Sequence, residues 1–170
     1  MITSKTFDFF SGIGFDVHAL KWLDRESSIP LCGIAVPCHF QVIAHSDGDV
    51  ALHALVDAML GAVGAGDIGE HFPPTDTRWE NADSTQFVLH TMKLLHQKNA
   101  TLVNVDITII CERPKILHYK NAMKEKLVMM LGLKPERVNI KATTTEKLGF
   151  LGRSEGIAAQ AIVSVKMPVD

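Results

Sequence analysis

Asp16 and His18 stand two residues apart in the segment Gly14-Phe15-Asp16-Val17-His18. Side chains alternate across an extended strand, so both would project from one face. A third imidazole, His53, lies in a run with helical spacing but off that run's apolar stripe. One carboxylate and two imidazoles make a three-ligand zinc set that leaves a coordination position open for substrate. A plainer reading also stands at this level, and the D-x-H spacing alone favours it: a surface acid, a capping histidine and a solvated helix histidine.

A second group could hold phosphate. Thr143, Thr144, Thr145 and Glu146 follow a predicted strand and precede Lys147. Hydroxyls, backbone donors and one carboxylate suit a diphosphate with a divalent cation; the alternative is a T-x-x-E capping box from Thr143 to Glu146. Pro114 and Lys115 open a predicted helix, placing a lysine beside unpaired backbone N–H groups, where an anion could sit or where a helix simply begins. The segments Asp67-Ile68-Gly69 and Phe72-Pro73-Pro74-Thr75-Asp76 offer two carboxylates and an apolar wall. His45 and Ser46 precede a helix and could hold a phosphate or polyol, or only cap it.

The elements that would carry these groups can be traced from periodicity. Phe9 to Val17 reads as a strand, and Lys21 to Pro37 as a turn-rich segment with a short strand pair. A helix is expected from near Ser46, with Ser46 and Asp49 as an acidic capping box. Leu52, Leu55, Val56, Met59, Leu60 and Val63 form its buried stripe. His53 and Asp57, four apart, point elsewhere together. Gly64 to Asp76 reads as a loop and Ser84 to Lys98 as a second helix. Thr101 to Ile110 alternates as a half-buried strand. A third helix is expected from Pro114 to just before Gly132, then strands at Val138 to Ala142 and Ile157 to Met167. The sum is a mixed sheet of about four strands with interleaved helices.

Composition narrows the function classes. A net charge of -2 on 170 residues gives no electrostatic footprint for nucleic acid. No apolar run approaches the ~18 residues that would span a bilayer. Met1 to Phe10 lacks the basic start and apolar run of a secretory leader, so cytoplasm is the expected location. Cys32, Cys38 and Cys111 are odd in number and irregular in spacing, which predicts structural thiols rather than a disulfide framework. Length and the absence of repeats predict one domain over residues 1–170, with no room for a fused second enzyme.

The blocks also occur together in a known order. Ala44 to Ala62 (A-H-S-D-G-D-V-A-L-H-A-L-V-D-A-M-L-G-A), with G-F-D-V-H, G-D-I-G, F-P-P-T-D, N-V-D-I-T-I-I, R-P-K, K-A-T-T-T-E-K-L-G-F and G-R-S-E-G-I-A-A, resembles the 2-C-methyl-D-erythritol 2,4-cyclodiphosphate synthase family over nearly the whole chain. The resemblance implies an α+β, ferredoxin-like two-layer sandwich with helices on one face, assembled as a homotrimer with sites between subunits. It implies zinc on Asp16, His18 and His53, and magnesium or manganese on Glu146. It implies transition-state contacts from His45 and Thr144. Substrate contacts would come from Asp16 to His18, His45, Ser46, Asp67 to Gly69 and Phe72 to Asp76. Further contacts would come from Cys111, Glu112, Arg113, Pro114, Lys115, Ile116 and Leu117 on the cytidine side, from Thr143, Thr144, Thr145 and Glu146, and from Phe150 and Arg153. The implied reaction closes a cyclic diphosphate and releases CMP.

Ile13, Gln41 and Cys111-Glu112-Arg113 depart from the family's common spelling, and none of them is an implied metal ligand. Two other classes fit parts of the pattern. A zinc deaminase would need H-x-E and P-C-x-x-C, and both are missing. A zinc phosphohydrolase or a diphosphate-binding protein without turnover would share the metal set but not form a cyclic product.

Overall fold

A computed structural model describes residues 6–169, so the first five residues of the expected leaderless N-terminus lie outside the described part. Strand β1 (Phe7–Leu31) is far longer than the alternating pattern suggested, and pairs antiparallel with β2 (Ile34–Ile43). The predicted turn-rich segment is therefore mostly strand. Between Trp22 and Ser27 the ladder is irregular, β1 advancing five residues while β2 advances two from Phe40 to Cys38, and polar residues there disguise it. Cys32 and Gly33, both at positive φ, close the hairpin.

Helix α1 (Val50–Ala62) follows, then the short α2 (Ile68–His71) inside the predicted loop, and α3 (Thr85–Gln97). Strand β3 (Thr101–Ile110) leads through a 3-10 turn at Ile116–Tyr119 into α4 (Lys120–Leu131), which ends at left-handed Gly132 as expected. Strand β4 (Val138–Thr143), the single turn α5 (Gly149–Gly152) and β5 (Gly156–Pro168) complete the chain.

One five-stranded mixed sheet results, in the order β2-β1-β5-β3-β4, with only β3 and β4 parallel. The short strand pair expected within Lys21–Pro37 is the end of β1 and the start of the longer β2, and the sheet has five strands rather than about four. The connectivity also departs from a ferredoxin-like unit, whose β-α-β-β-α-β order splits both crossovers. Here β5 lies between β1 and β3, but β3 and β4 are adjacent, so one crossover is split and the other is not.

The helices cover one face. Along β5, Ile157, Ala159, Ala161, Val163 and Val165 are buried against them, while Gln160 and Ile162 on the other face are exposed. Helix α1 is buried on nearly every side, from Val50 to Met59, so His53 is not the solvated helix histidine of the plainer reading. It lies directly on β1. A Cβ at Gly12 would overlap the Ala58 carbonyl oxygen, and one at Gly14 that of Ala54. Asp49, not Ser46, caps α1. Its buried carboxylate accepts from the N–H groups of Leu52 at 3.0 Å, Cys32 at 3.0 Å and Gly33 at 2.7 Å, fastening the helix to the hairpin. Burial raises that carboxyl to about 6, against the pull of the three N–H donors.

Candidate metal centre and substrate cleft

The close fit of α1 on β1 brings three donor atoms together. Asp16 and His18 project from the helix-facing side of β1, and His53 meets them from α1. His53 Nδ1 lies 3.0 Å from Asp16 Oδ2 and 3.0 Å from His18 Nε2, and His18 Nε2 lies 3.3 Å from Asp16 Oδ2. Among the described residues this is the one group of three or more His, Cys, Asp or Glu side chains able to share an ion, with all ligand atoms within 4.8 Å.

The outer atoms of the first two ligands are already committed. Asp16 Oδ1 accepts from the Val17 N–H at 2.8 Å. His18 Nδ1 donates to the Val17 carbonyl at 3.0 Å, which leaves Nε2 bare. Burial and the neighbouring His53 hold His18 below its usual 6.5 despite the Asp16 charge. Burial pushes the Asp16 carboxyl up, but the facing His53 and His18 rings and the Val17 N–H outweigh it and hold it below 3.8. One carboxylate oxygen and two imidazole nitrogens within 3.3 Å of one another are placed to share a cation, and O/N/N donors suit zinc.

The triad opens into a cleft of about 330 Å³. His45, Ser46, Ile68, Gly69, Phe72 and Pro74 line it, as the sequence anticipated. Asp57, the partner of His53 on α1, accepts from the Ile68 N–H at 2.7 Å and so sets the position of α2. Burial raises its carboxyl above 3.8. Asp67 caps α2 through the Glu70 N–H at 3.0 Å. Asp76 is engaged by Arg78 at 2.6 Å; Pro73 and Thr75 are not among the residues lining the cleft.

Three lining residues were not anticipated: Ala44, Trp79 and Phe87. Phe87 packs at a tilt against Phe72 with ring centroids 4.5 Å apart, and Trp79 meets both edge-on. They come from a 3-10 turn and from α3, and nothing in their spacing ties them to Asp16.

The other predicted groups form a second locus. The Cys111 N–H donates to the Thr143 carbonyl at 3.1 Å, and the Lys147 N–H to Glu112 Oε1 at 3.1 Å, so the Cys111–Leu117 and Thr143–Glu146 segments are neighbours. No helix starts at Thr143, which removes the capping-box reading; Thr144 Oγ1 instead donates to Glu146 Oε1 at 3.0 Å. Glu146 and Lys147 are both left-handed, at φ 53 and 64, a strain of about 1–3 kcal/mol per residue that tends to persist where function requires it.

Pro114 does not open a helix either. It precedes the short 3-10 turn, and Arg113, Pro114 and Lys115 border a separate cleft of about 520 Å³ with Trp22 and His39. Cys111 is buried and its thiol is pushed up to about 12 by that burial, so it is no nucleophile near neutrality. Exposed Phe150 and the Arg153–Glu155 pair, at 2.9 Å, lie on and beside α5.

The two loci are not one site within this chain. Val17 is in register with Ala158, Ala158 with Ile110, and Ile110 with Thr143. Both loci therefore sit at the same end of the sheet, three strand spacings or about 14 Å apart.

Comparison with known proteins gives concordant matches. The model of the YgbB family matches residues 9–166. The chain is 53% identical over 155 residues to the 2-C-methyl-D-erythritol 2,4-cyclodiphosphate synthase of Ehrlichia ruminantium, covering 89% of this chain and 90% of that one. It is 52% identical over 157 residues to the bifunctional enzyme IspD/IspF of Caulobacter vibrioides, covering 92% of this chain but spanning only 40% of the relative's length. Among solved structures, the CDP complex of IspF from Plasmodium falciparum superposes with a TM-score of 0.82 at 32% identity, over 95% of this chain and 97% of that one.

Proposed function

The chain belongs to the YgbB family, and from that membership we propose that it converts 4-diphosphocytidyl-2-C-methyl-D-erythritol 2-phosphate to 2-C-methyl-D-erythritol 2,4-cyclodiphosphate and CMP. The observation that carries the reading is the convergence of Asp16 Oδ2, His18 Nε2 and His53 Nδ1 at a cleft walled by Phe72 and bordered by His45 and Ser46. The relatives of matching length bear the name of this activity.

The reaction is an intramolecular phosphoryl transfer. An oxygen of the 2-phosphate bonds to the β-phosphorus, and the bond from that phosphorus to the bridging oxygen breaks as CMP departs. Attacker and target share one molecule, so the protein needs no covalent nucleophile; its task is to fold the substrate for in-line attack and to neutralise charge. The Ile68–Gly69 turn and the Phe72 wall would hold the methylerythritol end. His45 and Ser46 would contact phosphate at the cleft mouth. Thr144, in the second locus, would donate its hydroxyl to the diphosphate, with Lys115, Phe150 and Arg153 nearer the nucleotide. Asp16, His18 and His53 would hold zinc, and Glu146 a magnesium or manganese ion completed by substrate phosphates. When bound, these ions supply Lewis-acid withdrawal of charge from the phosphoryl oxygens.

The separation of the two loci supports a shared site in a homotrimer, in which one subunit offers the metal triad and the next the Cys111–Leu117 and Thr143–Glu146 loops. The uncovered sheet face supports self-association too, since Ile13, Phe15, Val17 and Ile162 are exposed there side by side. We read the described residues as a single synthase domain, on the strength of their one continuous sheet. The free thiols Cys32, Cys38 and Cys111 support a cytoplasmic place of action.

Changing Asp16→Ala tests the assignment. Purified variant protein is expected to lose bound zinc and to release CMP at least about 100-fold more slowly, a loss on the scale of removing a Lewis acid worth several kcal/mol. Wild-type rates from a zinc-free variant would refute it.

A further inference from the structure

His53 has an outer shell that neither the motif reading nor the family match assigns. Its Nε2 lies 2.9 Å from Ser84 Oγ and 3.1 Å from Ser46 Oγ. Ser84 is fully buried. It is held at both of its polar groups by one carboxylate: its N–H donates to Asp47 Oδ2 at 3.1 Å, and its hydroxyl donates to Asp47 Oδ1. Asp47 is itself held in place, since its own N–H donates to the Ala82 carbonyl at 3.0 Å and its Oδ1 accepts from the Asp49 N–H at 3.2 Å.

Proton bookkeeping then leaves one arrangement. An ionised carboxylate only accepts, so the single Ser84 hydroxyl proton points at Asp47. Ser84 Oγ can therefore meet His53 only as an acceptor, and the Nε2 nitrogen must carry the proton. A neutral imidazole with Nε2 protonated has a bare Nδ1, the atom that faces Asp16 and His18.

We propose that Ser84 and Asp47 form a relay that sets the His53 tautomer and aims its Nδ1 lone pair at the metal, making them positioning residues for zinc. The arrangement is a carboxylate–histidine–metal triad with a serine hydroxyl interposed. It also accounts for a feature of α3. Ser84 occupies the N-cap position yet makes no side-chain capping bond, because its hydroxyl is engaged with Asp47 and His53 instead. The relay spans three segments, since Asp47 precedes α1, Ser84 precedes α3 and His53 lies on α1. The placing of α3 is thereby linked to ligand geometry at β1. The inference rests on the reading of Asp16, His18 and His53 as zinc ligands.

Two measurements test it. In the zinc-loaded wild type, the ring nitrogens of His53 in a nitrogen-15 NMR spectrum are expected to show a protonated Nε2 and an Nδ1 that carries no proton. The opposite tautomer would overturn the proposal, and this measurement needs no variant to fold. The second is zinc affinity by competition with a chromogenic chelator, for wild type, Ser84→Ala, Asp47→Asn and the double variant.

Each single change is expected to weaken zinc binding roughly 10- to 100-fold. Asp47→Asn acts through the serine, because an amide can turn the hydroxyl proton toward His53. The double variant should therefore bind about as well as Ser84→Ala alone, and the two effects should not add. Wild-type affinity in folded Ser84→Ala and Asp47→Asn proteins would overturn the relay while leaving the zinc site intact. A wild type that binds no zinc would instead defeat the functional reading beneath it.

Discussion

His18 illustrates how a residue's surroundings convert an ambiguous motif into chemistry. D-x-H could not be told from a surface pair in the sequence, because its meaning depends on what lies across the strand. Burial keeps His18 neutral below its usual 6.5, so its Nε2 stays available at physiological pH. Protons compete for that nitrogen only as the pH falls through and beneath 6.5, where metal affinity must decline. The sign for stability is the same. The folded value is depressed, so the unfolded chain takes up its proton first and acidification below 6.5 weakens the metal-free fold. Zinc retained after dialysis across about pH 8 to about pH 5 is expected to be constant above 6.5 and to fall below it; loss already complete near pH 7 would contradict this. His45 and Ser46 were singled out in the sequence and line the cleft, whereas Trp79, Phe87, Ser84 and Asp47 were not singled out. Ser84 and Asp47 act through contacts across 31 to 37 residues of sequence, for which no local spacing carries a signal.

At the scale of elements, the helix on the strand is what assembles the triad. Gly12 and Gly14 let α1 lie against β1, and Asp49 fastens its first turn to the hairpin. Replacing Asp49 with Ala would leave the buried N–H groups of Cys32 and Gly33 without acceptors and uncap the helix. The expected loss is about 3 kcal/mol or more in urea unfolding, with weaker zinc binding because His53 shifts; an unchanged midpoint would show that water replaces the carboxylate. Strands β3, β4 and β5 and helix α3 were legible to within a residue or two, since each carries an uninterrupted period. The long hairpin was not, because its polar, irregular middle breaks alternation between Trp22 and Ser27. The helix expected from Pro114 begins only at Lys120, after a 3-10 turn whose Ile116 is buried.

The Asp16, His18 and His53 cluster and the Thr143–Glu146 segment stand at one end of a single sheet, about 14 Å apart. Sequence blocks named both loci but could not give the distance between them, which follows from β5 inserting between β1 and β3. The proposed homotrimer would bring the two loci of neighbouring subunits together, and light scattering at micromolar concentration is expected to return three times the 18.7 kDa chain mass; a monomer that is fully active would break the shared-site picture. The exposed Ile13 and Ile162, paired across β1 and β5, place the apolar patch where such packing would bury it. If Asp16, His18 and His53 hold the zinc proposed, ring closure needs that cation. The direct measurement is mass analysis of the product formed by purified protein before chelation, after chelation and after zinc is returned. Cyclic diphosphate with CMP in the first and third samples, and neither in the second, is the predicted result. A linear diphosphate, or undiminished ring closure in the chelated and zinc-free protein, would contradict it.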